Sequence, residues 1–168
     1  ILHLDNPIMP GQKVNLSLTW NYTINKSSHY RTGGVDSTTW FVAYFFPRIA
    51  VYDDIDGWNN FKYSGFAQFY NDFGDFDVSI TVPQNYLAWA TGMLQNSKEV
   101  LNKKYAERLS DALTSDKIIH IIDSTECTSD QITKTNEKNT WCFKAEYVND
   151  FAFGISDHYL WDASSLVV

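Results

Sequence analysis

Residues 75–82 read Asp-Phe-Asp-Val-Ser-Ile-Thr-Val, and polar and apolar side chains alternate along the whole stretch. Successive side chains of a β-strand point to opposite faces of a sheet, so this pattern predicts a strand with one buried face. Pro83 follows directly and ends the pattern, because proline cannot donate a ladder hydrogen bond. A second alternation over residues 13–24 predicts another half-buried strand. Its apolar face consists of Val14, Leu16, Leu18, Trp20, Tyr22 and Ile24.

The remaining apolar runs predict further strands and one helix. Residues 40–46 are continuously apolar, which predicts a central strand covered on both faces. Other strands are predicted at 86–91, 118–122, 141–148, 151–155 and 166–168. After Ser97 the apolar spacing becomes helical and predicts one amphipathic surface helix near 97–114, with Val100, Leu101, Leu109 and Leu113 on its apolar face. We therefore expect an all-β fold, a saddle-like β-sandwich of about eight strands, in a single domain spanning 1–168.

The composition favours a packed domain and argues against two classes of partner. The 168 residues are 44% hydrophobic and 16% aromatic, which is enough apolar material to fill a core. With 13 Lys and Arg against 20 Asp and Glu, the formal net charge is −7. A nucleic-acid backbone selects a basic face, and a membrane-spanning helix needs about 20 apolar residues in a run. We therefore expect no nucleic-acid partner and no membrane-spanning segment.

Side chains that could carry catalysis are sparse. The histidines, His3, His29, His120 and His158, are far apart, and none lies in a His-Glu-x-x-His pattern. The sequence also contains no glycine-rich phosphate loop and no Gly-x-Ser-x-Gly motif. We predict no catalytic, cofactor-binding or metal-binding residue in this chain. His120 should face solvent or a satisfied core partner, and His29 and His158 should lie at the surface.

The two cysteines leave two alternatives open. Cys127 and Cys142 lie near the ends of a polar segment, residues 128–141, which we interpret as a long hairpin loop. The strand-like runs on either side, 117–123 and 141–148, would bring the thiols together at the base of that hairpin. In an oxidising compartment they would form a disulfide, and otherwise they would be two separate thiols.

The region from Pro47 to Asp77 is rich in acidic and aromatic side chains. Its acidic residues are Asp53, Asp54, Asp56, Asp72, Asp75 and Asp77. Asp53, Asp54 and Asp56 could gather around a hard cation such as calcium. Alternatively, Asp53 or Asp54 could cap turns and pair with Arg48, and Asp72, Asp75 and Asp77 could line the solvent face of a strand start. The aromatic residues from 58 to 73 are Trp58, Phe61, Tyr63, Phe66, Phe69, Tyr70 and Phe73. Such rings could form the sugar-binding surface of a stand-alone carbohydrate-binding β-sandwich, fill a core or pack against another domain.

Several segments of the chain resemble one known family of enzymes. The first reads Pro47-Arg-Ile-Ala-Val-Tyr-Asp-Asp-Ile-Asp-Gly-Trp58. The others are residues 69–83, Ala90-Thr-Gly92, residues 141–153 and Tyr159-Leu-Trp-Asp-Ala163. In this order they resemble the N-terminal β domain of bacterial zinc aminopeptidases. These belong to the gluzincin family, which includes aminopeptidase N and leukotriene hydrolase.

The resemblance implies a non-catalytic domain that precedes a thermolysin-like catalytic domain in a larger metallopeptidase. This chain would be an excised part of the N-terminal region, and zinc and the peptide substrate would bind to the parent's catalytic domain. Typical members also supply a Gln or Glu to the substrate's amine shortly before the proline matched by Pro47, and residues 30–46 contain neither. The family resemblance favours a cell-envelope or secreted location.

The resemblance also defines a candidate domain-interface loop. Its residues are Pro47, Arg48, Tyr52, Asp53, Asp54 and Trp58. The partner would be the catalytic domain of the same polypeptide, facing the outer side of the loop. We expect Trp58 and several of the neighbouring Phe rings to be largely buried, because each covered aromatic ring removes much apolar area from water.

Overall fold

The computed structural model describes residues 2–26, 31–61 and 70–166. Within these ranges the chain is mostly β, as predicted, and every strand pair is antiparallel. The strands are β1 (Gly33–Gly34), β2 (Trp40–Val42), β3 (Tyr52–Asp53), β4 (Gly57–Trp58), β5 (Gly74–Pro83), β6 (Leu87–Ala90), β7 (Met93–Leu94), β8 (Ile119–Ile122), β9 (Lys138–Val148), β10 (Phe153–Ser156) and β11 (Trp161–Ala163). The helices are α1 (Ser97–Val100) and α2 (Lys103–Ala112).

The alternating stretch at 75–82 forms most of β5, and β5 pairs with β9 in a sheet of order β5-β9-β7. Ile80 lies opposite Trp141 in this ladder. Ile80 and Val82 are buried, whereas Thr81 between them is exposed. Trp141 is completely buried, so this strand pair carries the centre of the core. The predicted half-buried strand is confirmed here.

A second sheet has the order β1-β2-β10-β6. The prediction of a doubly covered strand over 40–46 is wrong, because β2 ends at Val42 and Phe41 is half exposed. After β2, the backbone N–H and C=O of Ala43 bond to the Thr32 hydroxyl instead of a neighbouring strand. Tyr44 then has a φ of 53°, which turns the chain out of the extended region.

The predicted single helix near 97–114 is two helices. Leu101 has φ −103° and ψ 148°, an extended conformation, and bridges to Thr133 as in a β-ladder. The Asn102 side chain donates hydrogen bonds to the carbonyl groups of Gln131 at 2.7 Å and Thr133 at 3.0 Å. These contacts with residues 131–133 interrupt the helix. Val100 and Leu101 are buried as expected, but Leu113 is half exposed.

The second alternating stretch, residues 13–24, is not a strand in the structure. The backbone of these residues makes no hydrogen bond with any other described residue. Five of its six predicted buried side chains are exposed, and Ile24 is half-buried. An alternating segment forms a β-strand only if a neighbouring strand pairs with it, and no described residue pairs with residues 13–24.

The predicted hairpin around the two cysteines is also wrong. β8 pairs with β11, whereas β9 pairs with β5 and β7, so the strands before and after residues 128–141 are not neighbours. Contacts with Leu101 and Asn102 draw residues 131–133 towards the helices. Both cysteines are free thiols. At the C-terminus Leu166 lies outside any strand, and residues 167–168 of the predicted last strand are outside the described residues.

One hydrophobic cluster connects the two larger sheets, the helices and β8. Its completely buried large members are Trp141, Phe151, Leu87, Leu101, Ile121, Ile122 and Val100. Neither helix found within the described residues has the length and apolar character needed to cross a membrane.

Candidate domain-interface hairpin

The candidate interface loop contains a β-hairpin formed by β3 and β4, in which Tyr52 pairs with Trp58. The Asp53 carboxylate accepts hydrogen bonds from the backbone N–H groups of Ile55, at 3.1 Å, and Asp56, at 2.7 Å. An aspartate that bonds to the backbone two and three residues further on stabilises a tight turn. The predicted turn-capping role of Asp53 is therefore confirmed.

Arg48 attaches the base of this hairpin to the loop that follows β9. Its guanidinium forms an ion pair with Asp150 and donates a hydrogen bond to the carbonyl group of Asn149 at 3.1 Å. The prediction that Arg48 pairs with Asp53 or Asp54 is wrong, because the guanidinium is directed towards the body of the domain. Partial burial lowers the pKa of the Arg48 guanidinium.

An aromatic cluster supports Arg48 from below. The guanidinium carbon lies 4.7 Å from the ring centre of Phe46, a cation–π arrangement. Phe46 packs edge-on against Phe76 of β5, with ring centres 5.6 Å apart. Phe45 packs in the same way against Phe153 of β10, at 5.2 Å. The base of the hairpin is thus joined to both larger sheets.

The rest of the loop is apolar and exposed. Trp58 is 58% exposed and Ile55 is 85% exposed, and the exposure of Ile49, Tyr52 and Phe61 lies between these two values. The expectation that Trp58 and neighbouring Phe rings are buried is therefore wrong for the described residues. The physical reason is that β3 and β4 pair only with each other within the described part of the chain. The other predicted rings of this region, at positions 63, 66 and 69, lie outside the described residues.

Two acidic residues of this region, Asp75 and Asp77, make separate local contacts along β5. Asp77 forms an ion pair with Lys144 at 3.4 Å across the β5–β9 ladder. Asp75 accepts a hydrogen bond from the backbone N–H of Tyr147 at 2.9 Å. Among residues 2–26, 31–61 and 70–166, no three His, Cys, Asp or Glu side chains are arranged to hold a metal ion.

The exposed rings do not form a flat platform. Tyr52 meets Trp58 edge-on, with an interplanar angle of 67° and ring centres 5.1 Å apart. Phe73 and Tyr147 are nearly parallel, at 15° and 4.7 Å, but each covers a face of the other. A sugar that stacks on aromatic rings needs an open face, so only the outer faces of these pairs could take one.

A polar cluster around His158 was not predicted from the sequence. The Nδ1 atom of His158 lies 2.6 Å from the carboxylate of Asp157, and its Nε2 atom lies 3.2 Å from the carboxylate of Asp36. Thr38 donates a hydrogen bond to Asp157 at 2.8 Å. The hydrogen bond to Asp157 and the charge of Asp36 raise the pKa of His158. His158 is a surface residue, as predicted, but Asp36 is remote in sequence and no local pattern could have indicated the pairing.

This cluster connects two loops, and its serine hydroxyl is not accessible from solvent. The Ser156 hydroxyl lies 3.3 Å from Nδ1 of His158, yet Ser156 is completely buried. It shares a 2.8 Å hydrogen bond with the Thr39 hydroxyl. The contacts of Thr38 with Asp157 and of Asp36 with His158 hold the β1–β2 turn against the segment after β10.

The other histidine predictions have mixed outcomes. His120 of β8 is exposed, so the solvent-facing alternative is confirmed, and its Nδ1 atom lies 2.6 Å from the exposed Asp162 of β11 instead of a core partner. His29 lies outside the described residues. His3 is exposed in the N-terminal segment.

Comparison with protein-family models, with curated proteins and with solved structures gave no match to this chain. Of the candidate interface residues, Arg48 and Asp53 make the internal contacts described above. The exposed members are Pro47, Tyr52, Asp54 and Trp58. The side chains that could contact a partner are therefore those of the last four.

Proposed function

We propose that this chain is a non-catalytic β domain of a larger, aminopeptidase-like zinc metallopeptidase. Its role is to pack against the catalytic domain of the same polypeptide through the hairpin of β3 and β4. Zinc and the peptide substrate belong to that catalytic domain. The resemblance of residues 47–58 to the corresponding segment of the gluzincin family supports this proposal.

The observation that carries the proposal is a hairpin with a fixed base and an exposed apolar tip. Arg48 and its contact with Asp150 hold the base, so the tip does not lose much conformational freedom on binding. Trp58, Tyr52 and Ile55 at the tip are all more than half exposed. Adjacent exposed apolar side chains are uncommon on a protein that works alone, and they are typical of a surface that another domain covers. Tryptophan and tyrosine are also the residues that most often dominate binding energy at an interface.

The first test is the reading frame that encodes this chain. A His-Glu-x-x-His motif within a few hundred residues after Val168 is expected. In the longer polypeptide, amide hydrogen exchange in residues 49–61 should be slower than in the isolated 168-residue chain by at least about tenfold, because the hairpin is covered. A frame without a zinc motif, or equal exchange in both proteins, contradicts the proposal.

A matched pair of variants tests the hairpin itself. In the longer polypeptide, Trp58→Ala should weaken domain packing by about 2 kcal/mol or more, as expected for the truncation of a central interface aromatic residue. Tyr147→Ala removes a ring that is also exposed but lies outside the hairpin, so it should change packing little. The measurement is the separation between the unfolding transitions of the two domains in calorimetry. Equal effects of the two substitutions argue against the hairpin as the interface.

A second candidate function is a stand-alone carbohydrate-binding module that uses the aromatic residues between 58 and 73. The exposure of Trp58 and Phe61 favours it, because sugar-binding surfaces present aromatic rings to solvent. The edge-on contact between Tyr52 and Trp58 is less suited to it. Glycan-array binding at micromolar affinity, lost in a folded Trp58→Ala variant, would support this candidate over the domain interface.

A further inference from the structure

Residues 13–24 have the alternating sequence of a half-buried strand, but no strand of the described part of the chain pairs with them. Their apolar side chains repeat at every second position from Val14 to Ile24. Trp20 is 45% exposed and Leu18 is 57% exposed. No described residue bonds to the backbone N–H and C=O groups of this segment. A segment with these properties is a ready template for pairing with a sheet edge.

The same chain has a sheet edge of matching length and pattern. β5 is ten residues long and pairs with β9 on one side only, within the described part of the chain. Two of its core-facing side chains, Phe76 and Val78 in the first half of the strand, are only half-buried. Its outward row begins with two aspartates, Asp75 and Asp77, and continues with hydroxyl residues.

We infer that residues 13–24 of one copy of the chain add as a strand to the open edge of β5 in a second copy, and reciprocally. β-Strand addition gains affinity from main-chain hydrogen bonds and specificity from the side chains on one face. With the apolar faces aligned, we place Thr19 beside Thr81, the register in which Leu18 and Trp20 flank Ile80 and Val82 in either strand orientation. Leu18 and Trp20 then extend the buried row of Ile80 and Val82.

Charge and size both suit a second copy as the partner. Lys13 is the only charged residue in the segment, and in the parallel orientation it lies beside Asp75 of β5, whereas Asp77 already pairs with Lys144. With Thr19 beside Thr81, eight or nine residues of each strand overlap, so in a reciprocal dimer each copy contributes about 16–18 residues. That total is close to the lower end of the roughly 20–30 residues per side of a standard protein interface.

This inference is independent of the proposed function, because it uses neither the hairpin nor a catalytic domain. Trp58→Ala should leave the dimer intact. The experiments can therefore show which of the two proposals fails.

The first experiment measures the mass of the chain by sedimentation equilibrium between about 1 and 100 µM. The wild type should dimerise, and Leu18→Asp with Trp20→Asp should raise the dimer dissociation constant at least about 100-fold, because two carboxylates would enter the apolar face. Ser17→Lys with Asn21→Lys places two charges on the opposite face and should raise it far less. All four positions are exposed, so each variant should fold normally, and far-ultraviolet circular dichroism checks this. A wild type that stays monomeric, or equal effects of the two pairs, overturns the inference.

The second experiment identifies the paired strands. Thr19→Cys and Thr81→Cys are made as separate proteins, each with Cys127→Ser and Cys142→Ser, and are mixed with a short bis-maleimide cross-linker. A cross-linked product of twice the chain mass is expected from the mixture. The absence of this product overturns the inference. A single protein that carries both Thr19→Cys and Thr81→Cys provides a second check, and cross-linking only within single chains of that protein also overturns the inference.

Discussion

Gly92, between β6 and β7, occupies a position where the structure admits no side chain. Its φ is +87°, a value that residues with a Cβ rarely adopt. A Cβ at this position would overlap the carbonyl oxygen of Lys144 in β9. It would also lie 2.6 Å from the carbonyl carbon of Lys144 and 2.7 Å from the Cβ of Ala145. These atoms belong to the central ladder and cannot move without disturbing it.

The expected cost of Gly92→Ala has two parts. A left-handed backbone conformation costs a residue with a Cβ about 1–2 kcal/mol. Forcing an extra carbon against packed backbone costs typically about 1–3 kcal/mol more. The free energy of unfolding should therefore fall by about 2–5 kcal/mol, a large share of the roughly 5–15 kcal/mol of an ordinary domain.

Gly57→Ala is the matched control. Gly57 also has a positive φ, +71°, but a Cβ there would meet only a side-chain carbon of Tyr52 at 3.8 Å, an ordinary contact. This substitution should cost at most about 1–2 kcal/mol, from the backbone conformation alone. The assay is urea unfolding followed by tryptophan fluorescence, to which the buried Trp141 contributes. The midpoint of Gly92→Ala should fall by about 1–2 M. If the two variants lose the same stability, the close approach of Gly92 to β9 is refuted.

Three more predictions concern charge and packing. The pKa of His158 is raised above 6.5, so its stabilising contribution is complete below about pH 6.5 and is lost as the pH rises through the folded-state pKa. The urea midpoint should therefore be higher at pH 6 than at pH 8, and His158→Gln should reduce that difference. Glu126 accepts hydrogen bonds from Lys104 and Arg108, so Glu126→Gln should lower the free energy of unfolding by about 1–3 kcal/mol. Glu107 pairs with Lys103 on an exposed helix face, so the control Glu107→Gln should change the free energy of unfolding by less than about 0.5 kcal/mol. In thermal unfolding of the isolated chain, Trp141→Ala should cost about 3–5 kcal/mol, and Trp58→Ala, at an exposed site, much less.

The alternation of polar and apolar residues was sufficient to predict a strand where one face of that strand packs on the core. The stretch at 75–82 alternates because its even-numbered side chains face the core and its odd-numbered side chains face water. The polarity of each residue therefore indicates which face it occupies. The β-rich class follows from several such stretches. The hairpin turn could also be predicted, because the Asp53 carboxylate bonds within its own turn. Such contacts span only a few residues, so their pattern is visible in the sequence.

Residues distant in sequence decided the rest. Thr133 and Gln131 bind Leu101 and Asn102 and divide the predicted helix in two.

The pairing of His158 with Asp36 and the ion pair of Arg48 with Asp150 likewise join residues that no spacing rule connects. The same holds for the strand pattern of residues 13–24, since alternation records that one face is apolar and not which strand covers it. A strand requires hydrogen bonds from a neighbour, and only the tertiary structure determines whether a neighbour is present.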